Sequence, residues 1–266
     1  MIKLICVDVD GTILNSKREV LDSTVKAVKE AKKNGIRVVI NTGRNLDSVI
    51  PFAQKMGMED EYIILNTGAS ILKLDTMEEI YKRKVDSNLA KELHRTAKHY
   101  GVNVVGYTER NLYMYDNTPN YEATLEADIL EMDFIDCGDD DFIEFSSVSL
   151  VGPKENINRF IEDGHDKKFD DFFKVRNVPI IYEFLNKEAG KGRTMLELGK
   201  ILGIEKDEIM VIGDGPNDLD MFASAGVSVA MGNARDIVKE NADIVTLSND
   251  EGGVAEVIYR AIENRI

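Results

Sequence analysis

Two aspartates two residues apart, Asp8 and Asp10, follow the apolar run Leu4-Ile5-Cys6-Val7 and lead into Gly11-Thr12. Carboxylates this close at one strand end repel each other unless a cation lies between them, so the spacing points to a hard divalent metal such as Mg²⁺. Gly11 permits a sharp turn and a close approach of backbone or ligand. In a chain with 48 acidic residues Asp-x-Asp also arises by chance. Three further motifs give it weight.

The second motif follows another apolar run, Val38-Val39-Ile40, with Asn41 and then Thr42-Gly43-Arg44. A threonine hydroxyl and its neighbouring amide can both donate to a phosphate oxygen, and Gly43 keeps the approach open. The plainer reading has Thr42 capping the next helix. The third is Gly190-Lys191-Gly192, ahead of a helical stretch over 193–202. There an ammonium could meet an anion that the helix N-terminus already favours, or Lys191 could be a solvated loop residue. The fourth is Gly213-Asp214-Gly215-Pro216-Asn217-Asp218, after Ile209-Met210-Val211-Ile212. Asp214 and Asp218 straddle a strand-to-helix turn and can both face the space above the strand end; alternatively, Asp218 only stabilises the helix start.

In this order the four motifs resemble the haloacid dehalogenase superfamily of phosphohydrolases, whose signature is Asp-x-Asp-x-Thr, Ser or Thr, Lys, and Gly-Asp-x-x-x-Asp. Thr-Gly-Arg, Lys-Gly and Gly-Asp-x-x-Asn-Asp followed by Met221 match its Cof-type subgroup, which carries an inserted type IIB cap. The resemblance implies that Asp8 is the nucleophile and forms an aspartyl-phosphate, and that Asp10 is its acid and base. It implies Mg²⁺ held by Asp8, Asp214 and the Asp10 backbone carbonyl, with Thr42 and Lys191 on the phosphoryl oxygens. Asp218 would orient Lys191 or the metal shell, and Asn217 would lie near the transferred group. Gly43, Arg44 and the Asn66-Thr67 turn would face the substrate. Relatives carry Asn-Gly-Ala where this chain has Asn66-Thr67-Gly68-Ala69, so either Asn66 or Thr67 takes the substrate-side position. A phosphosugar mutase shares the nucleophile, and a receiver-like signalling module also uses a phosphorylated aspartate. The module would be about half this length, with its paired acids and acceptor in the reverse arrangement.

A net charge of −15 over 266 residues argues against nucleic acid or an anionic membrane as partner; the family resemblance implies a small phosphorylated metabolite as ligand. Two cysteines, Cys6 and Cys137, build no disulfide framework and suit a reducing compartment. No apolar run spans a membrane, and Asp8 comes too early for a signal peptide, so cytoplasm is the expected location. Oligomeric state has no signature here.

Each motif needs a buried strand behind it. Strands are expected over 4–7, 37–40, 62–65, 209–212, 227–230 and 244–247, with helices over 23–34, 46–56, 194–202, 217–225, 234–240 and 253–264. Such βα alternation predicts an α/β fold, a Rossmann-like parallel sheet with helices on both faces. Between 84 and 186 the pattern changes. Strand pairs over 102–107 and 112–115, and over 172–175 and 180–185 around a turn near Asn177, join a strand over 145–151. Helices over 89–100, 120–130 and 154–163 complete an inserted α/β cap domain, leaving 1–83 and 187–266 as the core domain. The cap would close over the site, exclude water and choose a small substrate. Asp136-Cys137-Gly138-Asp139-Asp140-Asp141 is expected to be a solvated turn, not a calcium loop, and His94, His99 and His165 to be surface residues.

Overall fold

The computed structural model describes residues 1–108, 111–115, 118–130, 132–137, 143–176 and 178–266. The chain opens with β1 (Leu4–Val7), buried along its whole length as a strand covered on both faces must be. After the tight loop Val9–Ile13 comes α1 (Asp22–Lys33), which buries Thr24, Ala27, Val28 and Ala31 on one stripe and ends in two lysines that suit its C-terminal dipole. Then follow β2 (Arg37–Asn41), α2 (Leu46–Met56), β3 (Tyr62–Leu65), β4 (Ser70–Lys73) and β5 (Glu78–Lys82).

Next come β6 (Val85–Asp86), α3 (Ser87–Ala97), β7 (Asn103–Tyr107), β8 (Leu112–Met114), α4 (Tyr121–Leu130), β9 (Phe134–Asp136), β10 (Glu144–Phe145), β11 (Ser147–Val151), α5 (Lys154–Glu162), β12 (Phe172–Val175) and β13 (Ile181–Asn186). The chain closes with α6 (Lys191–Leu202), β14 (Ile209–Gly213), α7 (Leu219–Ser224), β15 (Val227–Ala230), α8 (Asp236–Lys239), β16 (Ile244–Val245) and α9 (Gly253–Ile262). Two compact units result. One comprises Met1–Arg44, Val49–Lys82 and Gly190–Ile266; the other comprises Arg83–Ala189 with Asn45–Ser48.

The first unit holds one sheet in the order β16-β15-β14-β1-β2-β3-β4-β5. From β1 the chain steps outward through β2 and β3 on one side, and later through β14, β15 and β16 on the other. All five pairings among these six strands are parallel. Strand order therefore reverses beside β1, and in open α/β sheets the crevice for ligands lies at the carboxyl ends at such a point. The sheet is not wholly parallel: β3-β4 and β4-β5 pair antiparallel, an addition the sequence reading did not foresee. β5 is exposed or half-buried throughout, so it carries no clean apolar alternation to read. The helix expected over 217–225 is shorter, because Pro216–Asp218 forms a separate 3₁₀ turn ahead of α7.

The second unit is built on a sheet in the order β12-β13-β11-β7-β8-β9. Alternate residues serve opposite faces. Val104, Val148, Leu150 and Phe184 pack with Leu93 of α3 and Phe160 of α5, whereas Val105, Leu112 and Val151 pack with Ala123 and Ala127 of α4. At its base the Arg83–Glu188 ion pair (2.7 Å) and a bond from Asn186 Nδ2 to the Lys84 carbonyl (3.2 Å) tie the two connecting segments together. Of the three histidines only His99 is exposed. His94 stacks with Tyr115 at 6.0 Å, and His165 lies 5.4 Å from Tyr100 and 5.6 Å from Phe160, so aromatic packing corrects the surface reading of both. Of the turn expected over 136–141, residues 138–141 lie outside the described residues, as does the turn at Asn177; Asp136 ends β9 and Cys137 is buried. Among the described residues no helix is long and apolar enough to cross a membrane.

One carboxyl in this unit gives a pH-dependent stability. Burial, reinforced by nearby Glu183, pushes Glu126 of α4 from 4.5 up to about 7. A folded-state value above the unfolded one means that the native chain binds more protons, so this group costs stability increasingly as pH rises from 4.5 through about 7. Glu126→Gln should therefore raise the thermal midpoint by a few degrees at about pH 8 and hardly at all at about pH 4. Melting curves that shift equally at both would contradict this.

Candidate active site

Three neighbouring strands, β14, β1 and β2, end at one edge of the sheet and deliver Asp214, Asp8 and Thr42 to it. Asp8 leaves β1 with its amide still donating to the Ile212 carbonyl (3.0 Å), which locks the nucleophile candidate to the strand beside it. Lys191 reaches the same point from the first turn of α6. The helix begins at Lys191 itself, ahead of the expected start, and the lysine side chain is wholly buried, which removes the solvated-loop reading. Its ammonium donates to Asp8 Oδ1 (2.5 Å) and to Asp218 Oδ1 (2.7 Å).

Asp218 has no accessible side-chain surface either, and its second oxygen accepts from the amides of Asp214 and Gly215, both at 3.0 Å. Both of its oxygens are thus committed. Its place is that of an orienting group that holds Lys191 with one oxygen and shapes the Asp214 turn with the other. Gly213 is required by this turn, since a Cβ there would sit 2.4 Å from Asp218 Oδ2. Across the site, Thr12 donates its hydroxyl to Asp214 Oδ1 (3.0 Å), and Gly11 turns the chain at φ 75°. A Cβ on Gly11 would lie 2.3 Å from Asp214 Oδ2, so no larger residue fits between the two acid-bearing loops.

Asp8, Asp214 and Asp218 each present an oxygen within 4.8 Å of the others. One buried ammonium faces these three carboxylates. Burial drives the Asp8 carboxyl well above the usual carboxylate range against the pull of Lys191, and Asp218 and Asp214 push it further. Asp214 is raised to about 6, first by burial and then by Asp218. On Lys191, burial works against the charge but Asp218 and Asp8 outweigh it and keep the amine ionised. The cluster is short of positive charge, and a hard divalent cation fits that deficit. Asp8, Asp214 and Asp218 are the carboxylates that could hold it, and Asp218 already accepts hydrogen bonds on both oxygens.

Thr42 is buried beside this cluster, and its Oγ accepts from the Arg44 amide (3.1 Å) while its own proton remains to donate. It does not cap α2; Asn45 does, through Oδ1 accepting from the Ser48 amide (3.2 Å). The Asn66-Thr67 turn clips onto this loop, with the Asn66 amide donating to the Arg44 carbonyl and the Thr67 amide to the Thr42 carbonyl, both 3.0 Å. Both residues adopt left-handed backbone, φ 50° and 55°. For β-branched Thr67 that is a costly conformation of the kind that clusters at binding sites. The Thr67 Oγ lies close enough that a Cβ on Gly43 would be 3.3 Å from it, so the Thr67 side chain meets the Thr42-Gly43 turn. The Asn217 side-chain carbonyl instead folds over Gly215. Asp10 points out of the acidic cluster: Arg44 donates from Nε to Asp10 Oδ2 (2.7 Å) and from Nη2 to Oδ1 (2.6 Å).

Supporting residues absent from the sequence reading also emerge. Asn41, fully buried at the end of β2, donates to the Lys191 carbonyl (3.0 Å), and Asp220 accepts from the Gly192 amide (2.9 Å). Both fix the first turn of α6. Asn41 had one visible signal, a polar residue ending an otherwise apolar strand.

A family model described as haloacid dehalogenase-like hydrolase matches residues 5–258. The Bacillus subtilis 5-amino-6-(5-phospho-D-ribitylamino)uracil phosphatase YwtE is 32% identical over 293 residues, covering 99% of each chain. Phosphatase YwpJ of the same organism is 30% identical over 283 residues, covering 96% of this chain and 98% of that one. A crystal structure of a haloacid dehalogenase-like hydrolase from Bacteroides thetaiotaomicron superposes with a TM-score of 0.85 at 27% identity, covering 98% of this chain and 100% of that one. With its motifs gathered at one sheet edge and its similarity running end to end, the chain belongs to the haloacid dehalogenase-like hydrolases, as one of their phosphatases.

Proposed function

We propose that this enzyme is a Mg²⁺-dependent phosphatase that hydrolyses a small phosphorylated sugar or polyol through a phosphoryl group carried on Asp8. The observation that carries the reading is the fully buried ammonium of Lys191 held between Asp8 and Asp218. A nucleophilic carboxylate, a fixed cation beside it and a hydroxyl donor at Thr42 are what in-line attack on a phosphate monoester requires. Asp8, Asp214 and the Asp10 carbonyl would hold the metal, whose charge would offset that of the phosphoryl oxygens.

In the first half-reaction an Asp8 oxygen bonds to phosphorus, the ester P–O bond breaks, and the leaving oxygen takes a proton from Asp10. In the second, Asp10 takes a proton from water, the water oxygen bonds to phosphorus, and the electron pair of the breaking P–O bond returns to Asp8. Lys191 and the Thr42 hydroxyl bind the phosphoryl oxygens throughout, and Thr67 faces the entering group beside Gly43. Leaving-group selection is assigned to the inserted unit, Arg83–Ala189. YwtE, by its name, acts on a phosphorylated ribityl compound, which supports a polyol phosphate as the substrate class.

A panel of phosphorylated metabolites, scored by released phosphate, tests this. Sugar and polyol phosphates should be turned over continuously, far faster than phosphopeptides, with activity lost to a chelator and restored by Mg²⁺. Activity indifferent to chelator, a phosphopeptide as best substrate, or phosphoryl return without steady phosphate release (the mutase outcome) would each overturn it.

A further inference from the structure

The Asp10 side chain is 60% exposed, and among the described residues only Arg44 holds its carboxylate. An exposed aspartate with two free torsions would sample many orientations; here a planar guanidinium grips both oxygens. Arg44 is itself well anchored. Its side chain is only 15% exposed and lies over the Phe52 ring at 5.6 Å. Its amide donates to Thr42 Oγ, and its carbonyl accepts from the strained Asn66 turn. Rigidity therefore passes from the β2 loop, through the fork, to Asp10.

The fork also leaves the Asp10 oxygens able to accept. A guanidinium has only donors, and two parallel N–H bonds match a carboxylate that keeps both oxygens as acceptors. Remaining lone pairs on those oxygens can still receive a proton from water. We propose that Arg44 is a positioning residue that holds Asp10 as the base of the second half-reaction, so that it governs the lifetime of the phosphoryl group on Asp8. The inference rests on the phosphatase reading above. The step it controls balances: a water proton passes to Asp10, the water oxygen bonds to phosphorus, and the P–O bond to Asp8 breaks.

Lysine keeps the charge of Arg44 but cannot form the fork, so Arg44→Lys is the informative variant, with p-nitrophenyl phosphate as probe. That ester has a good leaving group and loads Asp8 without needing an acid. Arg44→Lys should release a burst of nitrophenol approaching one equivalent, then turn over about 100-fold more slowly than wild type, the scale of a lost base. Acid-quenched protein should carry phosphoryl on Asp8 with a lifetime lengthened to match. KM should fall along with kcat, since slowing only the second step leaves kcat/KM far less affected. Arg44→Met should behave alike. No burst, a raised KM, and rescue by lysine would show instead that Arg44 acts as a charge on the substrate, and would overturn the proposal. A wild type that releases no phosphate would overturn the phosphatase reading itself, a result plainly different from either.

Discussion

Replacing Asp8 with asparagine should abolish phosphate release, lowering kcat by at least about 10⁴-fold, with the fold intact. The amide keeps the shape of the carboxylate but neither its nucleophilicity nor its charge. The surroundings tolerate the change, because Asp8 is one of three clustered carboxylates, two buried and one half-buried, and Lys191 keeps Asp218 as partner when Asp8 is neutral. An unchanged melting curve beside a dead enzyme is the expected pair of results. A fully active Asp8→Asn enzyme would remove the nucleophile from the account.

Lys191→Ala has a different signature, because Lys191 is both chemistry and structure. Loss of a cation placed on the transferring phosphoryl should lower turnover by roughly two to four orders of magnitude. The same change leaves Asp8 and Asp218 facing each other across a buried gap, and removing one partner of a buried ion pair costs about 3–5 kcal/mol. The variant should therefore be both slow and clearly destabilised, by denaturant titration as well as by assay. A lysine that merely decorated a loop would change turnover a few-fold and stability not at all, but its side chain has no exposed surface and holds both acids.

Much of this site was legible from the chain because each acid sits just past an apolar run. Ile5-Cys6-Val7 before Asp8 and Val211-Ile212-Gly213 before Asp214 read directly as buried strands that end where ligands bind in an α/β sheet. The Asp214–Asp218 spacing also carried local information, since an acid four residues on can return a carboxylate to the amides at the turn. Pairings across the fold were a different matter. The Arg44–Asp10 fork joins loops after two separate strands, and neither residue's local pattern names the other. Lys191 was recognised, but the glycines on either side of it suggested a loop. Gly190 in fact ends the incoming chain, and Gly192 sits where α6 presses on the Asp220 backbone, so the helix starts at the lysine itself. The β4-β5 hairpin carries no readable periodicity, and no local pattern names the aromatic rings that cover His94 and His165.

The most direct test of the whole account is to look for the phosphoryl group itself. Wild-type enzyme mixed with a turning-over phosphate ester and Mg²⁺, quenched in acid within the first turnover and digested, should yield the peptide spanning Asp8 with the added mass of one phosphoryl group. The modification should appear before steady-state phosphate release, vanish when substrate is exhausted, and be absent from Asp8→Asn. Phosphate release with no phosphoryl-enzyme at any quench time, or a phosphoryl group on any residue other than Asp8, would contradict the account.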